Sequence, residues 1–239
     1  ERVLSRMDRE PQPPAPGKSA ADLPTRVHRG VLIVLQAIMA VELLLVFREE
    51  QWINAFLVMA IMAITLSPAV IGRRFRVYIP PEFQVLAVLF VFAALFLGEI
   101  HSYYVRIWWW DIALHTSSGL LMGILGFLLV YVLNADGRID IHMRPHFVAL
   151  FAFLFAVTVG TLWEIFEFTM DQVVGTNMQK PMLGDPSGLT DTMWDMIVNA
   201  LGALAISALG GWYMKQGEHS FIEAWIRKFI EHNPRLFRH

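Results

Sequence analysis

Residues 112–135 run for 24 positions without a single Asp, Glu, Lys or Arg. A surface helix of a water-soluble domain keeps charge on its outer face, whereas a helix crossing a bilayer needs about 20 predominantly apolar residues. The stretch therefore reads as a transmembrane helix. Apolar runs bounded by charge, Pro or Gly predict six such spans, near 30–47, 52–71, 82–99, 110–133, 146–169 and 191–213; Glu42 interrupts the first and Glu99 closes the third. Composition agrees, with 56% hydrophobic and 17% charged residues, against about 25% charged in an average soluble domain. The expected fold class is all-α: a polytopic membrane helical bundle of about six transmembrane helices, 30–213, with a flexible tail before it and an amphipathic helix after it.

Residues 1–29 hold Pro11, Pro13, Pro14, Pro16 and Pro24 with six basic residues and no apolar core, which suits a flexible cytoplasmic tail and not a secretory signal. In the last segment, 214–239, Phe221, Ile222, Trp225, Ile226, Phe229 and Ile230 recur at helical spacing with charges between them. That pattern fits a helix lying on the membrane surface or packed on protein. A net charge of −2 gives no basic surface for nucleic acid, and the absence of cysteine excludes disulfides, thiol nucleophiles and thiolate metal sites.

Six spans place both tails and the loops near 72–81 and 134–145 on one side. That side carries 16 of the 19 basic residues, leaving Arg48, Arg106 and Lys180 for the other. Basic loops stay in the cytoplasm, so both termini are expected inside. Trp52, Trp108, Trp109, Trp110, Trp163 and Trp194 then fall near the outer ends of spans, where indole rings anchor at the interface.

The same topology gathers acidic residues at the outer ends. Asp111 and His115 are four apart; Glu164, Glu167 and Asp171 run at intervals of three and four; Asp191, Asp195 and Asn199 run at intervals of four. Each set occupies one helical face. A carboxylate at mid-membrane costs roughly 2.5–3.5 kcal/mol on insertion scales, so such groups face protein or water. The three stripes are expected to converge, with Arg106 and Lys180 as the only basic residues in the flanking outer loops. Clustered carboxylates cannot all stay ionised alone, so the cluster is hydrated, partly protonated or bound to a cation.

Oxygen ligands with one imidazole suit a divalent ion, Mg²⁺, Mn²⁺, Ca²⁺ or Zn²⁺. Asp111, His115, Glu164, Glu167, Asp171, Asp191 and Asp195 are the candidate metal ligands, and Glu164, Asp195 and His115 the candidate catalytic groups. Plainer roles stand beside these: Asp111 and Asp191 are placed to cap helices, and Asn199 to bridge helices. Gly119, Gly123, Gly202, Ala203, Gly210 and Gly211 suit close helix packing. Residues 172–190, rich in Gly and Pro, form either a lid or a connector.

The strings Trp109-Trp110-Asp111-Ile112-Ala113-Leu114-His115, Trp163-Glu164-Ile165-Phe166-Glu167 and Asp191-Thr192-Met193-Trp194-Asp195-Met196-Ile197-Val198-Asn199-Ala200-Leu201-Gly202 resemble the uncharacterised YjdF-type family of bacterial membrane proteins. Their order is also similar to VanZ-like proteins, a group linked to glycopeptide resistance, with Asp111, His115, Glu164, Asp195, Asn199 and Gly202 matching that pattern. The likeness covers roughly residues 80–213 and departs at Glu167, where VanZ-like proteins often carry Gln. It implies a bacterial inner membrane and assigns no settled reaction.

Two main classes of function follow. One is a membrane-embedded cation site acting on a phosphate or ester of a lipid or envelope precursor, with a carboxylate or His115 as general base. The other is a non-catalytic accessory subunit that binds membrane lipids and other membrane-protein subunits. Transport through an acidic vestibule is a third, which no internal repeat suggests.

Overall fold

The structure, a computed structural model, describes residues 22–75, 80–135 and 144–216, together with His232. Among these residues it is helical, with no strand beyond an isolated bridge between Met182 and Asp185. The chain order is α1 (Asp22–Arg48), α2 (Trp52–Phe75), α3 (Pro81–Val91), a π-helical continuation of α3 (Phe92–Ile100), the short α4 (Tyr103–Arg106), α5 (Trp110–Ala135), α6 (Pro145–Val174) and α7 (Leu189–Gln216).

Five helices are long and apolar enough to cross a membrane: Leu23–Arg48, Pro81–Ile100, Trp110–Val130, Pro145–Val174 and Leu189–Lys215. The sixth expected span, near 52–71, falls on the 24-residue α2, which is not among these five. Its apolar part, Trp52–Ser67, is shorter than the other five. The expected tail boundary at residue 29 moves, because α1 already begins at Asp22. Pro24 sits in its first turn, where backbone N–H groups have no partner within the helix and proline costs little. The amphipathic helix expected around 221–230 lies outside the described residues.

The helices pack in two groups. Leu35 and Met39 of α1, Val58 and Ile61 of α2, and Val88, Phe92 and Phe96 of α3 and its π-helical continuation make one apolar core. Across it Gln36 donates from Nε2 to Thr65 Oγ1 at 2.8 Å, satisfying a polar pair that lipid would leave bare. The second group is α5, α6 and α7, each packed on the other two, with Phe127, Val130, Val148, Ala152 and Ile206 buried between them. The groups meet where the π-helical segment and α4 touch α5. Around the outside Val41, Leu44, Leu150, Leu154, Leu162, Ile165, Leu201 and Leu204 are exposed, an apolar coat that suits lipid as solvent.

Helices α5 and α7 approach backbone to backbone, because Gly119 lies against the Asn199 carbonyl and Gly202 against the Thr116 carbonyl. A side chain at either position would land on main-chain atoms of the other helix. Small residues at facing positions allow this closeness in membranes, and it brings the polar stripes of the two helices together.

Candidate functional site

Asp111 is the second residue of α5 and His115 lies one turn further along the same face. The imidazole sits at the centre of the site. Its Nε2 is 3.3 Å from Asp111 Oδ1 and 3.9 Å from Asp195 Oδ2 of α7, and its Nδ1 is 3.5 Å from Glu164 Oε1 of α6. Three helices therefore contribute to one histidine. Glu164 is 3% exposed and Asp195 1%.

Neither oxygen of Glu164 has a hydrogen-bond partner, and Asp195 Oδ1 has none either. The Thr192 hydroxyl lies beside Glu164 but meets no hydrogen-bond geometry with either oxygen. Buried polar atoms are nearly always satisfied, so orphaned oxygens call for an explanation. One turn below Asp195, Asn199 donates from Nδ2 to the Ala156 carbonyl at 3.4 Å, the helix bridge expected of it. Gly160 makes room for that amide, and a Cβ there would collide with it.

A cation can be fitted to these groups. One ligand atom each from Asp111, His115 and Asp195 lies within 4.8 Å of the others. Oxygen ligands bind hard divalent ions at about 2.0–2.6 Å, so two ligands of one ion lie no more than about 5 Å apart. With Nε2 turned towards such an ion, Nδ1–H faces Glu164, the outer carboxylate that commonly orients a metal-bound histidine.

The remaining acidic candidates sit around this centre and are engaged elsewhere. Glu167 accepts from the Trp163 indole at 2.8 Å, one turn back on its own helix. Asp171 accepts from Thr176 Oγ1 and from the backbone N–H of Met178 and Gln179, at 2.6–2.9 Å, organising the segment that follows α6. Asp191 is buried and accepts from the Lys180 backbone N–H at 2.7 Å. Asp185 does not join the cluster; its carboxylate takes the N–H groups of Ser187 and Thr190 and the Thr190 hydroxyl, capping the start of α7. Glu42 lies in α1, within the other helix group.

Sequence reading did not single out Tyr104. Burial, then the charges of Asp111, Glu99, Glu167 and Asp195, raise the Tyr104 phenol above its ordinary range, so it borders the cluster as a neutral hydroxyl. Its ring rests on Gly98, whose missing side chain leaves the space. A Tyr in a short loop beside a run of three Trp residues reads from sequence as an anchor, and no periodicity marks it otherwise.

A family model described as "Predicted membrane protein (DUF2238)" matches residues 28–216, which include every residue of the cluster. The chain belongs to the DUF2238 family. This DUF2238 chain is a membrane protein by its family's description, and its several apolar helices make it multi-pass. A protein of Thermotoga maritima described as uncharacterized is 29% identical over 143 residues, covering 60% of this chain and 69% of that one. No solved structure matches.

Proposed function

We propose that this DUF2238 protein holds a divalent cation between Asp111, His115 and Asp195 and uses it on a phosphate or ester group of a membrane lipid or envelope precursor. The observation that carries this reading is the convergence of three ligand atoms within 4.8 Å beside buried, unpartnered oxygens on Glu164 and Asp195. A cation there supplies a Lewis acid for a phosphoryl or carbonyl oxygen. The chain's own groups divide the remaining work: Asp111, His115 Nε2 and Asp195 Oδ2 bind, Glu164 holds the imidazole in register, and Asp195 Oδ1 is a proton acceptor. Three protein ligands leave open positions, as sites that do chemistry require and closed structural sites do not.

Depth supports a lipid substrate. Asp111, Glu164 and Asp195 are each preceded by a tryptophan, Trp110, Trp163 and Trp194, and the last two are exposed on the outside of the bundle. Indole prefers the headgroup boundary, which puts the cluster level with lipid esters and phosphates. The basic-residue asymmetry orients that end outward, with both termini cytoplasmic in a bacterial inner membrane, in keeping with the VanZ-like motif order.

Mn²⁺ titration of the purified chain, followed by paramagnetic resonance, tests the reading. The native protein should bind one ion, and Asp195→Asn, which keeps size and hydrogen-bonding reach, should abolish binding while the protein stays folded. No binding at millimolar Mn²⁺ by a folded native chain would refute the cation site and favour the accessory-subunit reading.

A further inference from the structure

We propose that residues 175–188 form a strap across the mouth of the Asp111–His115–Asp195 cluster, latched by Lys180 onto Glu99, and that release of this latch opens the site. The proposal rests on the cluster being a ligand site and adds how access to it is controlled.

The strap has two firm feet. At the α6 end the Asp171 carboxylate gathers Thr176, Met178 and Gln179, and at the α7 end Asp185 gathers Ser187 and Thr190. Each foot is thus a carboxylate with three donors. Between them the chain is drawn down onto α7, where Lys180 N–H donates to Asp191 Oδ2 at 2.7 Å and Gln179 Nε2 to Thr192 Oγ1 at 2.7 Å. Asp191 precedes Asp195 by one turn, about 6 Å along the helix. The middle of the strap therefore lies one turn above the cluster.

From there the Lys180 side chain leaves α7 and crosses to the other helix group. Its ammonium is 3.6 Å from Glu99 Oε1, donates to the Asn177 carbonyl, and stands 5.8 Å from the centre of the Tyr104 ring. Glu99 is 45% exposed, so this single ion pair is screened by water and salt, whereas each foot is held by three hydrogen bonds. The contact with Glu99 is the strap's weakest tie. Undoing it disturbs neither apolar core, because both lie within the two helix groups and not between them.

The absence of cysteine in the chain makes a direct test simple. In full-length protein carrying His115→Cys, the rate of modification by a small cationic methanethiosulfonate reports access to the cluster without requiring any metal. Adding Glu99→Lys, which turns the latch into a repulsion, should raise that rate about tenfold, and combining Glu99→Lys with Lys180→Glu should return it near the starting value, as coupled pairs do. Glu99→Gln should give a smaller rise in the same direction. Equal rates in all these proteins, or a charge-swapped pair as fast as Glu99→Lys alone, would overturn the strap. Loss of Mn²⁺ binding by the native chain with this labelling pattern intact would instead bring down the cation reading and leave the strap standing.

Discussion

Replacing Glu164 by Gln should move cation affinity and cation-free stability in opposite directions. The carboxylate is buried, neither oxygen has a hydrogen-bond partner, and the His115 imidazole stands beside it, with Nδ1 at 3.5 Å. A buried ion costs the fold several kcal/mol unless it is well compensated, so the neutral isostere should leave the cation-free protein as stable as before or more so. With a cation bound, the same carboxylate orients the imidazole, and loss of such an outer partner typically weakens metal affinity about 10–100-fold. At a free Mn²⁺ concentration 100 times the native Kd, binding stabilises the fold by about 2.7 kcal/mol, against about 1.4 for a tenfold weaker site and about 0.4 for a hundredfold weaker one. Thermal unfolding in detergent with and without Mn²⁺ measures both effects. Equal Mn²⁺-induced stabilisation in the two proteins, or a cation-free variant that melts far below the native chain, would refute the role given to Glu164.

Gly119→Ala places a Cβ on the Asn199 carbonyl and should destabilise by about 1–3 kcal/mol, whereas Gly30→Ala meets nothing and should stabilise α1 by up to about 1 kcal/mol; thermal unfolding compares them. Hydrogen bonds from Ser187 and then Thr190 hold the Asp185 carboxyl well below the usual carboxylate range. A depressed folded-state value means that this cap is fully in force above the unfolded value near 3.9 and is lost only as pH falls towards the folded value. Amide exchange at Ser187 and Thr190, corrected for intrinsic rates, should therefore stay flat from pH 5 to 8 in the native chain and be fast throughout in Asp185→Ala. Reporter fusions at Gly137 and Gly184 should report cytoplasm and outside respectively, and the reverse would remove the outward-facing orientation.

The helical stripes made much of the site legible. Asp111 with His115, Glu164, and Asp195 with Asn199 could be placed on inward faces because helical periodicity is regular and lipid penalises the alternative. The same periodicity could not separate Glu164 from Asp171, or Asp195 from Asp191, since both members of each pair share a face. They are separated by the backbone N–H groups of residues 178–180, which occupy Asp171 and Asp191. Loop backbone has no period to read, so neither those engagements nor the reach of Lys180 to Glu99 could be foreseen. Glu167 was misleading in another way: its partner, Trp163, looked like a plain interfacial anchor.

The loose winding of residues 92–100 lets one helix serve two masters. In an α-helix Phe92, Phe96 and Glu99, spaced by four and seven, would line a single face, and the carboxylate would be driven into the apolar core that holds both phenylalanines. Here the His101 N–H reaches back five residues to the Phe96 carbonyl, and such a coil turns only about 80° per residue. The stacked rings of Phe92 and Phe96 stay nearly in line, while Glu99 swings round to the far side to meet Lys180. Shortening this segment by one residue, which restores tighter winding, would turn the acid away from the lysine without altering a single side chain at either end.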